Sequence, residues 1–245
     1  MKNIIFTTLL VFGSMSFAMH HEKSEEAASV KVNNSALLST YGLAKGSAYA
    51  PLQRELIQYQ KDQMKAGFNA CGLYRHEFGE MRGFYTFCYF DDLYQLAEIM
   101  DNEEPNLNEK QNFDSHTDHI VAIVEKHMTT APNYILNMRW NFDMTTLTLN
   151  EAAAEAKGLF DHFLEAFGAC NLYDHQWGPE NAWYMSCGFD DYKDFADKAN
   201  KIYAIIGEKM GDKNMHVISH SDDLLVRVDL KLSLIHISEP TRHRS

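Results

Sequence analysis

Between Tyr134 and Phe142 apolar and polar residues alternate, the period of a half-buried strand. Thr148 and Glu151 follow at the spacing of a capping box. The helix they open carries Ala153, Ala156, Phe160, Phe163, Leu164 and Phe167 at helical spacing. An earlier stretch has Pro51 near its start, as a first helical turn tolerates, then Leu52, Leu56, Met64 and Phe68 in a less regular stripe. Residues 70–78 and 82–90 read as a hairpin, and 169–177 and 181–189 as another. Gly79-Glu80 and Gly178-Pro179 sit at the tips, with glycine first, as a tight II′-type turn wants. Asp91 and Asp190 are placed to cap a second helix in each half. Ile120–Val124 and Leu224–Val228 supply the last strands. Each half therefore predicts β-α-β-β-α-β.

The halves also resemble each other residue by residue. At an offset of 99, twelve of the twenty-five positions from 68 to 92 are identical, among them Cys71, Tyr74, His76, Gly79, Tyr85 and Cys88. Ser115-His116-Thr117-Asp118 recurs as Ser219-His220-Ser221-Asp222, and His119 is replaced there by Asp223. A gap-free match of this density points to tandem duplication. It sets expected boundaries of 35–130 for the first repeat and 131–231 for the second.

The four cysteines fit the hairpins. Cys71 and Cys88 are equidistant from the first tip, and Cys170 and Cys187 from the second, so each pair is directly cross-strand and within reach of a disulfide. No C-x-x-C spacing supports a zinc site, and no metal is expected. The beginning of the chain agrees with oxidised cysteines. Lys2, an apolar run from Ile4 to Phe17 and the small residues Ser16 and Ala18 form a signal peptide over 1–18, so the protein is expected to be periplasmic or secreted. Residues 19–34 read as a flexible polar leader. Residues 232–245 resemble the translation of a sequencing-library adapter, and are left out of the fold reasoning.

A formal net charge of −12 argues against nucleic acid and anionic membranes as partners. No further apolar run approaches membrane length after the signal, and a monomer or weak oligomer is expected. There is no Walker loop, Rossmann glycine fingerprint, Ser-His-Asp signature or zinc-protease helix.

The hairpin register sorts the side chains. Cys71, Leu73, Phe84, Cys88 and Phe90, with Cys170, Leu172, Trp183, Cys187 and Phe189, share an apolar face that suits helices. The opposite face carries Tyr74, His76, Tyr85 and Phe87, matched by Tyr173, His175, Trp177 and Tyr184. That second face must also be covered, and two copies can cover each other. The pattern resembles the dimeric α/β-barrel group of ferredoxin-like proteins, fused in one chain: an α+β fold of two βαββαβ repeats packed sheet to sheet. Members of that group include cofactor-independent monooxygenases, haem enzymes and small-molecule-binding proteins. The proximal histidine typical of the haem members lies on a helix, whereas His76 and His175 fall on predicted strands, so no cofactor is expected.

The expected site is a cavity between the repeats lined by Tyr74, His76, Tyr85, Tyr173, His175 and Tyr184. It would suit a small aromatic or amphipathic ligand. The leading expectation is non-catalytic binding there. Two alternatives stand beside it: a cofactor-independent monooxygenase-like enzyme with His76 or His175 as base, and an interaction module whose barrel is packed solid. His116 and His220 suit turns just before the last strands.

Overall fold

The computed structural model describes residues 35–79, 81–102, 112–209 and 215–229. The expectations for the signal, the leader and the adapter-like tail lie outside the described residues. The first half runs β1 (Ser35–Leu43), α1 (Tyr49–Ala66), β2 (Ala70–Phe78), β3 (Gly83–Phe90), α2 (Leu93–Asn102) and β4 (Phe113–Lys126). The second runs β5 (Tyr134–Phe142), α3 (Leu149–Phe167), β6 (Cys170–Trp177), β7 (Trp183–Phe189), α4 (Tyr192–Lys209) and β8 (Val217–Arg227). The order β-α-β-β-α-β therefore holds in both halves.

All eight strands close into one antiparallel barrel in the order β1-β3-β2-β8-β5-β7-β6-β4. The halves do more than face each other: β2 pairs with β8 and β4 with β6, so the two sheets share their edge strands. Closure removes every exposed sheet edge. No described helix is long and apolar enough to cross a membrane.

Local chemistry explains most boundaries. Thr148 accepts from the Glu151 amide while the Glu151 carboxylate accepts from the Thr148 amide, which completes the capping box of α3. The caps of α2 and α4 differ from expectation by one residue. Asp92 accepts the amides of Tyr94 and Gln95, and Asp191 those of Lys193 and Asp194. Asp91 instead accepts from Asn69 across the hairpin base. On α1 the buried stripe includes Gln60 and Gln63, which accounts for its irregular apolar pattern.

The hairpins keep the expected register, with Cys71 opposite Cys88 and Cys170 opposite Cys187, and both disulfides are formed. The last strands are longer than expected. β4 pairs with β1 along all of Ser35–Leu43, and β8 with β5 along Tyr134–Phe142. This draws the Ser-His-(Thr/Ser)-Asp segments into strands rather than turns: continuous backbone pairing outweighs their turn-favouring side chains.

Two layers of core result. Under the helices lie Leu52, Leu56, Leu73 and Phe84 in the first half, and Ala156, Phe160, Leu172 and Met185 in the second. Inside the barrel every strand contributes, including Leu38, Tyr74, Tyr85, Phe87, Val121, Ile135, Tyr173, Tyr184 and Leu225.

Candidate active site

The barrel lumen gathers the side chains expected of it, but packs them against one another. Tyr74, Tyr85, Tyr173 and Tyr184 are buried in one cluster with aliphatic neighbours. Near the middle, the Tyr89 and Tyr173 hydroxyls lie 3.4 Å apart, and Asn171 Nδ2 donates to Tyr173 at 3.2 Å. Tyr74 donates to the Pro132 carbonyl, and burial pushes its phenol up to about 12. Trp177, expected on this face, is 55% exposed at the hairpin tip. These rings lie in one buried cluster at the place where a ligand cavity was expected.

The two ends of the lumen differ in their polar groups. At the first, Tyr85 Oη donates to Asp223 Oδ2 at 2.7 Å, and His76 Nε2 lies 3.4 Å from Asp223 Oδ1. At the second, His119 stands where Asp223 does, and its Nδ1 lies 2.9 Å from Tyr184 Oη. Burial, with His175 and Arg139 nearby, holds the His119 imidazole down to about 4. Burial, with the Glu180 charge adding to it, holds the Tyr184 phenol well above its usual range. The tip glycines make room for these centres. A Cβ on Gly79, at φ 130°, would stand 2.0 Å from Asp223 Oδ1, and one on Gly178, at φ 143°, 2.8 Å from His119 Nδ1.

A cavity lies on the other side of the sheet, between β5, β8 and the helices α3 and α4. It holds about 520 Å³. Trp140, Met138 and Leu224 form its sheet wall, and Phe163, Phe167 and Ile202 belong to its helix wall. Phe78 and Gly79, from the first half's hairpin tip, reach its mouth, as do His220 and Asp222. His220 Nε2 lies 3.6 Å from Asp222 Oδ2, with both side chains half or more exposed. Burial raises the Asp222 carboxyl, the Asp223 charge behind it adds to this, and His220 opposes it.

The equivalent position in the first half is filled. Tyr41, at the place of Trp140, stacks on His116 with ring centroids 4.5 Å apart, and Phe113 and Tyr59 meet Tyr41 edge-on. His116 Nε2 contacts Asp118 at 3.0 Å. Burial pushes Asp118 up, but the hydrogen bonds from His116 and Ser39 outweigh it and leave the carboxyl below its usual value. One half thus has a His–Asp pair whose imidazole stacks on Tyr41, and the other a His–Asp pair that lines a chamber.

No protein-family model matches the chain, and no curated protein matches it in sequence. Solved structures do match in fold. A candidate monooxygenase from Lactobacillus acidophilus has TM-score 0.53 and 11% identity, over 80% of this chain and 94% of its own. One from Fusobacterium nucleatum has TM-score 0.54 and 9% identity, over 80% and 93%. A mutant chlorite dismutase from Candidatus Nitrospira defluvii, in complex with cyanide, has TM-score 0.51 and 8% identity, over 80% and 91%. The fold is that of the dimeric α/β barrels. Identities this low establish architecture, and the named activities belong to those proteins. They nonetheless overturn the expectation of a non-catalytic binding protein, because these chains of the same fold are named as enzymes.

The fold group includes haem enzymes, and haem iron takes an axial histidine, cysteine, methionine or tyrosine. His162 is the one histidine on a described helix, and it does not line the chamber. Tyr203 on α4 does, but its side chain turns largely to solvent. The imidazole present, His220, stands on a strand beside Asp222. Met138 and Met215 also line the chamber, from β5 and the segment before β8, so this donor set offers no axial ligand aimed from the helices. Among the described residues no three His, Cys, Asp or Glu side chains converge on a metal position.

The chamber is not legible in the sequence, where the polar neighbours of His220 favour a turn. The available signal was the aromatic stripe of Phe160, Phe163 and Phe167 on α3, richer than its counterpart on α1, together with Trp140 on the same face of β5.

Proposed function

We propose that the protein is an oxygen-using enzyme of the cofactor-independent monooxygenase kind, with the chamber of the second half as its active site and the strand residue His220 as base. The observation that carries this reading is the meeting of an aromatic-lined chamber of about 520 Å³ with a His–Asp pair at its mouth. The fold shared with chains named as monooxygenases supports it.

The wall suits a flat aromatic substrate. With Nε2 turned to Asp222, His220 Nδ1 is the nitrogen left to take a proton, and Asp222 steadies the imidazolium that forms. The substrate must itself supply all four electrons that reduce dioxygen, which calls for a hydroxylated fused-ring aromatic with an acidic CH₂. His220 removes one proton, and the carbanion adds dioxygen and is reprotonated to a hydroperoxide. Loss of the second C–H proton and cleavage of the O–O bond then give a ketone and water. The balance is CH₂ + O₂ → C=O + H₂O.

Oxygen uptake with such aromatics tests this. His220→Gln should lower turnover by about 10²–10⁴-fold, and Ala199→Trp, which fills the chamber, should abolish it while the protein stays folded. Uptake unchanged in both variants would end the proposal.

The remaining features belong to the same reading. Residues 35–130 and 131–231 are duplicated units whose second copy keeps the open site. The signal over 1–18 and the two disulfides favour a periplasmic or secreted protein acting as a monomer or weak oligomer on a small molecule. The acidic charge disfavours nucleic acid as a partner.

A further inference from the structure

The two disulfides lie in different surroundings. In the second half Cys170 and Cys187 are fully buried in one apolar cluster with Leu159. The segment joining the halves lies over this hairpin base. The His127 amide donates to the Cys170 carbonyl, and a Cβ on Gly188 would stand 3.0 Å from Pro132 Cγ. In the first half Cys88 is buried, but Cys71 is partly exposed. Where the second half has Leu159, the first has Gln60, at the same offset of 99. Gln60 is fully buried, with Oε1 3.2 Å from Cys88 Sγ and Nε2 without a hydrogen-bond partner among the described residues. A disulfide sulfur carries no proton to donate. The oxidised bridge therefore leaves a buried amide unmet, whereas a free Cys88 thiol would donate to Oε1.

We infer that Cys71–Cys88 is a site of reversible thiol–disulfide exchange with a dithiol, and that Cys170–Cys187 is purely structural. The inference goes beyond the proposed activity and does not depend on it. Access favours the first bridge, because an attacking thiolate must reach a sulfur and Cys71 is the cysteine partly open to solvent. Its attack on Cys71 Sγ breaks the S–S bond, and Cys88 leaves as a thiolate that takes a proton. The second thiol of the dithiol then attacks its own sulfur in the mixed disulfide and releases Cys71. The dithiol is oxidised to a disulfide, and the protein gains two thiols. Gln60 favours this product at equilibrium, since only the reduced Cys88 satisfies its carbonyl.

The test places the folded, full-length chain in buffers of fixed reduced-to-oxidised dithiothreitol ratio. Free thiols are then alkylated and located by peptide mass. Cys71 and Cys88 should become labelled at a ratio at least about tenfold lower than Cys170 and Cys187, or about 30 mV for a two-electron couple. Gln60→Leu, which copies the second half, should raise the ratio needed for the first pair by about tenfold. The second pair is the internal reference and should stay in place. A variant that merely loosened the fold would move both pairs the opposite way, toward easier reduction. Both pairs opening together in the wild-type chain, or Cys170–Cys187 opening first, would overturn the proposal, whatever the variant does. An unmoved first pair in Gln60→Leu would overturn the part given to Gln60.

Discussion

Tyr85 donates its hydroxyl to Asp223 at 2.7 Å across the seam between the halves, joining β3 of the first to β8 of the second. Asp223 also faces His76 and lies beneath Gly79, so one buried carboxylate ties three parts of the first hairpin to the second half's last strand. A buried acceptor to a charged group is costly to leave unmet. Tyr85→Phe should therefore destabilise the fold by about 1–3 kcal/mol, measured by urea unfolding. A shift within about 0.5 kcal/mol, the range of an ordinary surface substitution, would show that Asp223 does not depend on it.

The disulfides act on the unfolded chain. Each closes a loop with sequence separation 17, for which chain entropy supplies about 3 kcal/mol. Cys170→Ser with Cys187→Ser should lower stability by about that amount without changing the barrel. Thiol titration of the protein should find no free cysteine, and a positive reaction would contradict the pairing.

Acid should loosen the seam through His119. Its folded pKa is lowered from 6.5 to about 4, so between those values the unfolded chain binds a proton that the folded imidazole refuses. The stabilising contribution is complete above 6.5 and is lost as pH falls toward 4, by roughly 3 kcal/mol at most. Urea midpoints across that window should decline in the wild type and more shallowly in His119→Gln. Parallel slopes would contradict the burial argument.

At the chamber mouth, Phe78 is 63% exposed and meets Tyr192 edge-on. Phe78→Ala should change stability by no more than about 0.5 kcal/mol, yet weaken binding of an aromatic ligand, read from quenching of the chamber's own Trp140. Equal quenching in both proteins would remove the first-half tip from the site.

Sequence pattern carried much of this architecture and little of the site. The alternation from Tyr134 to Phe142, the Thr148–Glu151 box and the cysteine register are local, and backbone geometry enforces each directly. The choice of Asp92 over Asp91, and of Asp191 over Asp190, was not legible, since two adjacent aspartates are equally able to cap. The polar neighbours of His116 and His220 favour turns, yet pairing with β1 and β5 along the whole strand prevails. The chamber depends on how far α3 and α4 stand from the sheet. Equivalent positions such as Tyr41 and Trp140 look alike in a sequence, yet one stacks on its histidine and the other packs on Phe163 in the chamber wall.

The most direct test of the central claim is single-turnover oxygenation of a fused-ring hydroxyaromatic under ¹⁸O₂ by metal-stripped, full-length protein. The account predicts one labelled atom in the product ketone and one in water, with no added cofactor, and loss of the labelled product in His220→Gln. Labelled ketone formed at an undiminished rate by His220→Gln, or formed only after haem is added, would contradict it.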